Sequence, residues 1–281
     1  MPSGFVNEKC RLLIGAGVAV EPQILVKEID LTGTKGRIGV DFQSSIIEDR
    51  HLRVESESEH LVKTVGTTKS GVGAALADRV LRMAKVARDV AALKDYLCDV
   101  PLELGSTLDN DGDVLVEGTQ GTFLSVYHGT YPYVSSKDFT AAAACSDVGV
   151  GPTDVDEVIV VFKSFVTRVG EGPLPGQLER DEVVRRGWLE RGTVTGRERR
   201  AAEFNFDLAR RAVQLNGATQ VALTKIDSIF PGAKRVRYFA DLPKEAQSFV
   251  NQIDDKIGVP VTLIGTGPDV WDLIDRRQPA L

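Results

Sequence analysis

The sequence predicts an α/β protein with a mostly parallel central sheet flanked by helices. Three observations lead there. Runs rich in Val and Ile alternate with helical stretches through the last third of the chain, at the spacing of βα units. Helix ends carry their usual punctuation: Asn216-Gly217 and Gly258 follow two helical segments, and Pro22 opens another. The glycine-rich polar stretches fall near strand ends, where a parallel sheet presents ligand sites.

In chain order, residues 10–20 read as a buried strand with a glycine-bearing end, and Pro22 starts a helix through Ile29. Residues 31–60 mix strand and polar loop, with a solvated turn at 55–59. Leu76, Val80, Met83, Ala87, Val90, Leu93 and Leu97 recur every three or four positions, which predicts one long amphipathic helix. Residues 113–117 read as a strand running into a glycine-rich loop, and residues 156–165 as a further buried strand. A helix over 206–215, a strand over 220–227, a helix over 242–257 and a strand over 259–265 follow, and a last helix starts within 268–276. A single domain over 1–281 is expected.

Composition narrows the function classes. The 281 residues are 42% hydrophobic and 26% charged, as in an ordinary globular protein, which excludes the disordered and collagen-like classes. With 34 Lys and Arg against 40 Asp and Glu, the net charge of −6 argues against nucleic acid as a main partner. No apolar run is long enough for a membrane span, and residues 1–10 lack the layout of a secretory signal, so a cytoplasmic location is expected. Cys10, Cys98 and Cys145 are far apart, as are His51, His60 and His128, which argues against a disulfide framework or a metal cluster.

Four stretches have the residue types of a nucleotide and carboxylate site. Gly66-Thr-Thr-Lys-Ser-Gly-Val-Gly73 precedes a helix, and its free N–H groups and hydroxyls suit an anion, although it also suits a plain turn. Val116-Glu-Gly-Thr-Gln-Gly121 and His128-Gly-Thr-Tyr-Pro-Tyr-Val-Ser-Ser136 offer the Gln120 amide to a purine or ribose edge and the hydroxyls of Thr130 and Ser135 to a phosphate or sugar. Arg191-Gly-Thr-Val-Thr-Gly-Arg-Glu-Arg-Arg200 reads either as a solvated face or as a loop of arginine forks that closes on carboxylates or phosphates. Thr224-Lys-Ile-Asp227 and Gly265-Thr-Gly-Pro268 sit at two strand ends. A carboxylate there accepts two hydrogen bonds from guanine that adenine cannot supply, while the Lys225 stem covers one face of the base.

Together these stretches resemble adenylosuccinate synthetase, in particular its shorter archaeal-type form. The similarity runs from Pro2-Ser-Gly4 to Gly267-Pro268. Its most specific parts are Glu117-Gly-Thr-Gln-Gly121, His128-Gly-Thr-Tyr-Pro-Tyr133, Thr167-Arg-Val-Gly170 with Gly172-Pro173, and Thr195-Gly-Arg197. The resemblance implies that GTP, with Mg²⁺, phosphorylates the 6-oxygen of IMP, and that aspartate displaces this phosphate. It implies that Thr68, Gln120, Ser135 and Arg197 hold IMP, and that Arg82, on the long helix, reaches the IMP phosphate of the other subunit in a homodimer. Thr193, Val194, Thr195, Gly196, Arg197 and Arg199 would clamp aspartate, with Arg199 also near the GTP phosphates. Lys225, Ile226, Asp227, Gly265, Thr266 and Gly267 would recognise guanine.

This sequence departs from the family pattern in places. Ser135 stands where Thr is usual, Lys69 where Gly is usual, Val194 replaces a hydroxyl residue, and Glu198 interrupts an arginine run, so its carboxylate is expected to turn away from bound aspartate. The 281 residues hold no G-x-x-x-x-G-K-[ST] or Gly-Asp-Glu-Gly-Lys-Gly loop; in the family that loop and the glycine-rich loop after it supply the phosphate cradle, the metal ligand and the base and acid. No catalytic residue and no metal ligand is therefore assigned within 1–281, and the domain is expected to lack its first strand. These residues alone are expected to make no adenylosuccinate, because each base or acid group is worth about 10²–10⁴ in rate. Two other readings stay open: a relative acting on dGMP, and a non-catalytic nucleotide-binding remnant that dimerises with a complete homologue.

Overall fold

The computed structural model describes residues 1–192 and 196–277. The chain divides into two compact units, Met1–Asp156 and Glu157–Leu281. Both are α/β with parallel strands packed against helices, as the sequence predicts, and each unit has its own parallel sheet.

In the first unit, β1 (Leu12–Ile14) and β2 (Ala19–Val20) are separated by a turn, so residues 10–20 are two short strands and not one. In the turn between them Gly15 lies against Asp147, and a side chain there would begin 2.4 Å from the Asp147 carbonyl oxygen. α1 (Pro22–Thr32) starts with Pro22 and ends at Gly33, whose φ of 64° is the left-handed conformation glycine adopts freely. β3 (Ile38–Asp41) and β4 (Ser45–Ile46) precede α2 (Asp49–Glu57) and α3 (Val72–Val80). β5 (Leu97–Cys98) then leads into α4 (Val100–Asp109), capped by the Asp99 carboxylate on the Leu102 N–H at 3.0 Å, and α5 (Ala141–Val148) comes last. β1, β3 and β5 form a parallel sheet and β2 pairs with β4. Leu12, Ile29, Val40 and Leu93 fill the core between them.

Two further expectations fail in this unit. The long helix over 76–97 stops at Val80, because Arg82 takes a left-handed φ of 62°. The apolar residues after it are used differently: Met83 is exposed, while short 3₁₀ turns at Ala87–Asp89 and Ala91–Tyr96 carry Ala87 and Leu93 into the core. Residues 113–117 form no strand either. They alternate in burial as a strand would, but have no ladder partner among the described residues, and Leu115 is 88% exposed.

The second unit is more regular. β6 (Ile159–Lys163), β7 (Phe165–Arg168), α6 (Arg180–Arg185), β8 (Arg200–Glu203), α7 (Phe206–Asn216), β9 (Gln220–Thr224), α8 (Ile226–Ile229), α9 (Lys244–Ile257), β10 (Val261–Gly265) and β11 (Leu273–Asp275) follow one another. The sheet order is β11-β10-β9-β6, with β10, β9 and β6 parallel, and β7 pairs with β8 as a separate antiparallel ribbon. α7 and α9 bury Ala209, Val213, Ala246, Val250 and Ile253 against Val221, Leu223 and Ile264.

Three corrections apply here. The predicted strand over 156–165 is divided at Ser164, and its first half is an edge strand with Val161 outward, not a buried one. β9 ends at Thr224, because Lys225 has a left-handed φ of 65°, so Ile226 and Asp227 lie in α8. The expected last helix is β11, whose Leu273, Ile274 and Asp275 pair antiparallel with β10 and bury Ile274.

Candidate active site

In the first unit the segment 66–73 is a loop over 66–71, after a π-helical turn (His60–Val65), that runs into the first two residues of α3. Both ends of that segment are tied to Glu55, which lies in α2 and is buried, not in a solvated turn. Its Oε2 accepts the Thr67 hydroxyl at 3.0 Å and its Oε1 accepts the Gly73 N–H at 2.8 Å. The anion that meets the start of α3 is thus the protein's own carboxylate. The loop between the two ties leaves Thr68, Lys69 and Ser70 exposed, with Lys69 at a φ of 59° and the Thr68 and Ser70 hydroxyls 3.2 Å apart.

Gln120 is exposed on a left-handed turn with φ 65°. The backbone links it to Ser135: Leu124 N–H donates to Gly121 at 2.9 Å, and Ser135 N–H donates to Leu124 at 2.8 Å. The intervening loop folds around the fully buried Ser125, whose hydroxyl oxygen accepts from Tyr127 N–H and His128 N–H at 3.1 Å each. Gly129 has to be glycine, since a Cβ there would lie 2.3 Å from the Phe123 carbonyl oxygen. Burial raises the Asp138 carboxyl, but hydroxyls of Thr140 and Ser125 outweigh it and hold the group below its ordinary value. Ser136 approaches the start of α3, 3.5 Å from where a Gly73 side chain would begin. Thr68, Gln120 and Ser135 therefore stand on loops that the first unit holds together. Arg82 does not join them. It lies beyond the opposite end of α3, and the nine residues of that helix span about 13 Å.

In the second unit the described parts of the arginine-rich segment pair with each other. Arg199 N–H donates to Glu190 at 2.9 Å, Gly192 N–H to Arg197 at 2.9 Å, and Arg191 and Glu198 form a bridge. Gly196 takes a left-handed φ of 64°. Thr193, Val194 and Thr195 of the aspartate-clamp expectation lie outside the described residues. Glu198 is held by Arg180 at 2.9 Å and Arg191 at 2.7 Å, and its carboxyl stays below the ordinary range chiefly through Arg180.

The carboxyl ends of β6 and β9 bring in two residues that the sequence reading missed. Lys163, the last residue of β6, lies 2.9 Å from Glu190 Oε2, and Lys225, just past β9, lies 3.1 Å from Glu190 Oε1. Arg199 Nη1 is 3.7 Å from the same carboxylate. Burial would raise the Glu190 carboxyl; Lys163 and Lys225 reverse this and bring it below its ordinary value. Lys163 could have been suspected as the polar residue ending an apolar strand, but nothing around Glu190 marks it.

Asp227 is half-buried in the first turn of α8 and has no hydrogen-bond or ion-pair partner among the described residues. Gly265 ends β10 and Thr266 and Gly267 follow it, and buried Thr266 donates its hydroxyl to the Val236 carbonyl at 3.0 Å. The Asp272 carboxylate occupies the place of a Gly267 side chain, 2.3 Å from where a Cβ would lie, so the turn admits only glycine. Among the described residues no group of three or more His, Cys, Asp or Glu side chains could hold a metal ion.

The profile of the family described as adenylosuccinate synthetase matches residues 1–92 and 82–231 of this chain. The adenylosuccinate synthetase of Methanocaldococcus jannaschii is 50% identical over 281 residues, covering 99% of this chain and 81% of that protein. This chain belongs to the adenylosuccinate synthetase family. Enzymes of this family are GTP-dependent ligases that join IMP and aspartate. The fold agrees: the fully ligated adenylosuccinate synthetase of Plasmodium falciparum superposes with a TM-score of 0.90 at 21% identity, over 98% of this chain and 87% of that one. The succinoaminodeoxyadenylate synthetase of cyanophage S-2L, bound to dGMP and dATP, gives a TM-score of 0.78 at 25% identity over 99% and 80%. Adenylosuccinate synthetases use GTP with magnesium in general.

Proposed function

We propose that this chain binds IMP, GTP and L-aspartate as an adenylosuccinate synthetase, with the work divided by unit. In the first unit, Thr68, Gln120 and Ser135 hold IMP. Gln120 can donate and accept on a purine edge, and the hydroxyls of Thr68 and Ser135 donate to phosphate and ribose oxygens. In the second unit, Arg197 and Arg199, with Thr193, Val194, Thr195 and Gly196, clamp the carboxylates of aspartate, and Arg199 also faces the GTP phosphates. Lys225, Ile226, Asp227, Gly265, Thr266 and Gly267 form the guanine pocket. There the unpartnered Asp227 carboxylate accepts the two donors that guanine presents and adenine lacks.

Homodimerisation with Arg82 acting in trans belongs to the same reading. Val80, Leu81 and Met83 expose apolar side chains beside Arg82, the property expected of a face that a second copy covers. Magnesium bound with GTP would supply charge neutralisation at the transferring phosphoryl group. What these residues contribute is binding, orientation and base selection.

The single observation carrying the reading is 50% identity over 99% of the chain to a named synthetase. The alternative substrate dGMP has a structural neighbour at 25% identity in its favour, which makes it the second reading. Calorimetric titration with IMP and with dGMP decides between them. Saturable IMP binding, weakened at least tenfold by Gln120→Ala, is expected; dGMP binding tighter than IMP would overturn the choice.

A further inference from the structure

Three cations from three separate segments share one carboxylate. Lys163 comes from the end of β6, Lys225 from just past β9, and Arg199 from the arginine-rich segment, and all face Glu190, whose side chain is 17% exposed. Lys163 also donates to the Thr167 hydroxyl, so its ammonium is fixed from two sides. The arginine-rich segment adds a backbone tie, Arg199 N–H to Glu190 at 2.9 Å. Two polar atoms of the cluster stay unsatisfied: the Arg199 Nε–H is buried with no acceptor among the described residues, and Glu190 Oε1 meets Lys225 as an ion pair without hydrogen-bond alignment.

Such an arrangement differs from a structural salt bridge in its balance. One carboxylate against three cations leaves two positive charges in excess, gathered where parallel strands end. Lys225 is half-exposed and shares its charge with water, whereas the Arg199 Nε–H is buried and left without an acceptor among the described residues. Glu190 holds the three side chains at a common point but cannot satisfy them all.

We infer that Glu190 is a positioning residue for the nucleotide and dicarboxylate sites, setting the Lys225 ammonium under the base and the Arg199 guanidinium toward the anionic ligands through one shared carboxylate. The inference rests on the roles proposed above for Lys225 and Arg199. Lys163 serves Glu190 in turn, holding the carboxylate in place from β6. Burial pulls the Lys163 ammonium below its ordinary value, and Glu190 opposes that shift, so each group keeps the other ionised.

The sign of a substitution separates positioning from bulk electrostatics. Glu190→Gln removes a negative charge beside three cations, so an effect of charge alone tightens the binding of an anion such as GTP. Positioning predicts the opposite. Titration calorimetry of the full chain with GTP, and separately with L-aspartate, should show both ligands bound at least tenfold more weakly by Glu190→Gln. Glu190→Asp, which keeps the charge and retracts it by one methylene, should fall between that variant and the wild type. Lys225→Met should weaken GTP binding in the wild-type background and add little in the Glu190→Gln background. A thermal melt of each variant separates this from a purely structural role, which lowers the melting temperature and leaves the affinity of the folded fraction unchanged. If Glu190→Gln does not fold, Glu190→Asp decides, with GTP binding at least threefold weaker expected. Unchanged or tighter GTP binding by a folded variant overturns the inference alone; a wild-type chain that binds no GTP overturns the proposed function together with it.

Discussion

The two units of this chain hold their functional loops by different means. In the second unit the rim residues grow directly out of strands whose other end is anchored in a large apolar core, with Leu223, Ile253 and Ile264 all fully buried. In the first unit the sheet is short, and the loops with Thr68, Gln120 and Ser135 are fixed by single polar groups: Glu55 beneath the first, Ser125 inside the turn between the others. Apolar burial is distributed over many contacts, whereas a buried hydrogen bond depends on one partner. The second unit should therefore lose stability before it loses its site, and the first should lose its site before it loses stability.

The largest effect belongs to the second unit's core. Ile253→Ala should lower its unfolding free energy by about 2–5 kcal/mol. Both tryptophans, Trp188 and Trp271, lie in this unit, so urea unfolding followed by tryptophan fluorescence reads it directly. GTP affinity at low urea should stay within twofold of wild type, and a tenfold loss would erase the contrast between the units.

Glu55→Ala should give the reverse pattern. It orphans the Gly73 N–H and the Thr67 hydroxyl, at about 1–3 kcal/mol for each buried group left unpaired. IMP binding should weaken at least tenfold by calorimetry while the tryptophan-reported transition stays where it was. A shift of that transition with IMP affinity intact would show that Glu55 is not the loop's anchor.

A smaller effect is expected at a helix start. Asn205 caps α7 by accepting the Leu208 N–H at 3.0 Å, so Asn205→Ala should cost about 1 kcal/mol in the same fluorescence experiment, with no change in ligand affinity.

The smallest effect is a pH dependence. The folded-state Glu190 carboxyl lies below its ordinary value, so its charge contributes stability at pH values above the unfolded value of about 4.3, and this contribution is lost as pH falls through the folded value. The melting-temperature gap between wild type and Glu190→Gln should be constant from pH 7 to about 5 and close below about 4.3. A gap that closes as pH rises would reverse the assignment.

What could be read from sequence follows the same division. α7 and α9 were legible because their local signals agree with their packing: Gly217 and Gly258 stop them, and their apolar stripes are the buried ones. The stretch 76–97 misled because its spacing of apolar residues is helical while Arg82 turns left-handed, and no residue type announces that turn. Residues 268–276 misled for a different reason. Their three-residue strand is defined by pairing with β10, which short-range pattern does not encode. Within the candidate site, the sequence marks Thr68, Gln120, Ser135, Arg197, Lys225 and Asp227 as polar chemistry, and the structure sets Thr68, Gln120 and Ser135 on loops, Lys225 just past β9 and Asp227 in α8. Glu190 and Lys163 were not legible, because their significance is a meeting of residues 27 positions apart with two more side chains.

The most direct test of the account is base selection by the second unit. Competition titrations with GTP and ATP should show wild type preferring GTP by at least tenfold, about 1.4 kcal/mol, and Asp227→Asn losing that preference with its fold intact. Equal affinity for the two nucleotides in wild type, or an undiminished preference for GTP in Asp227→Asn, would contradict it.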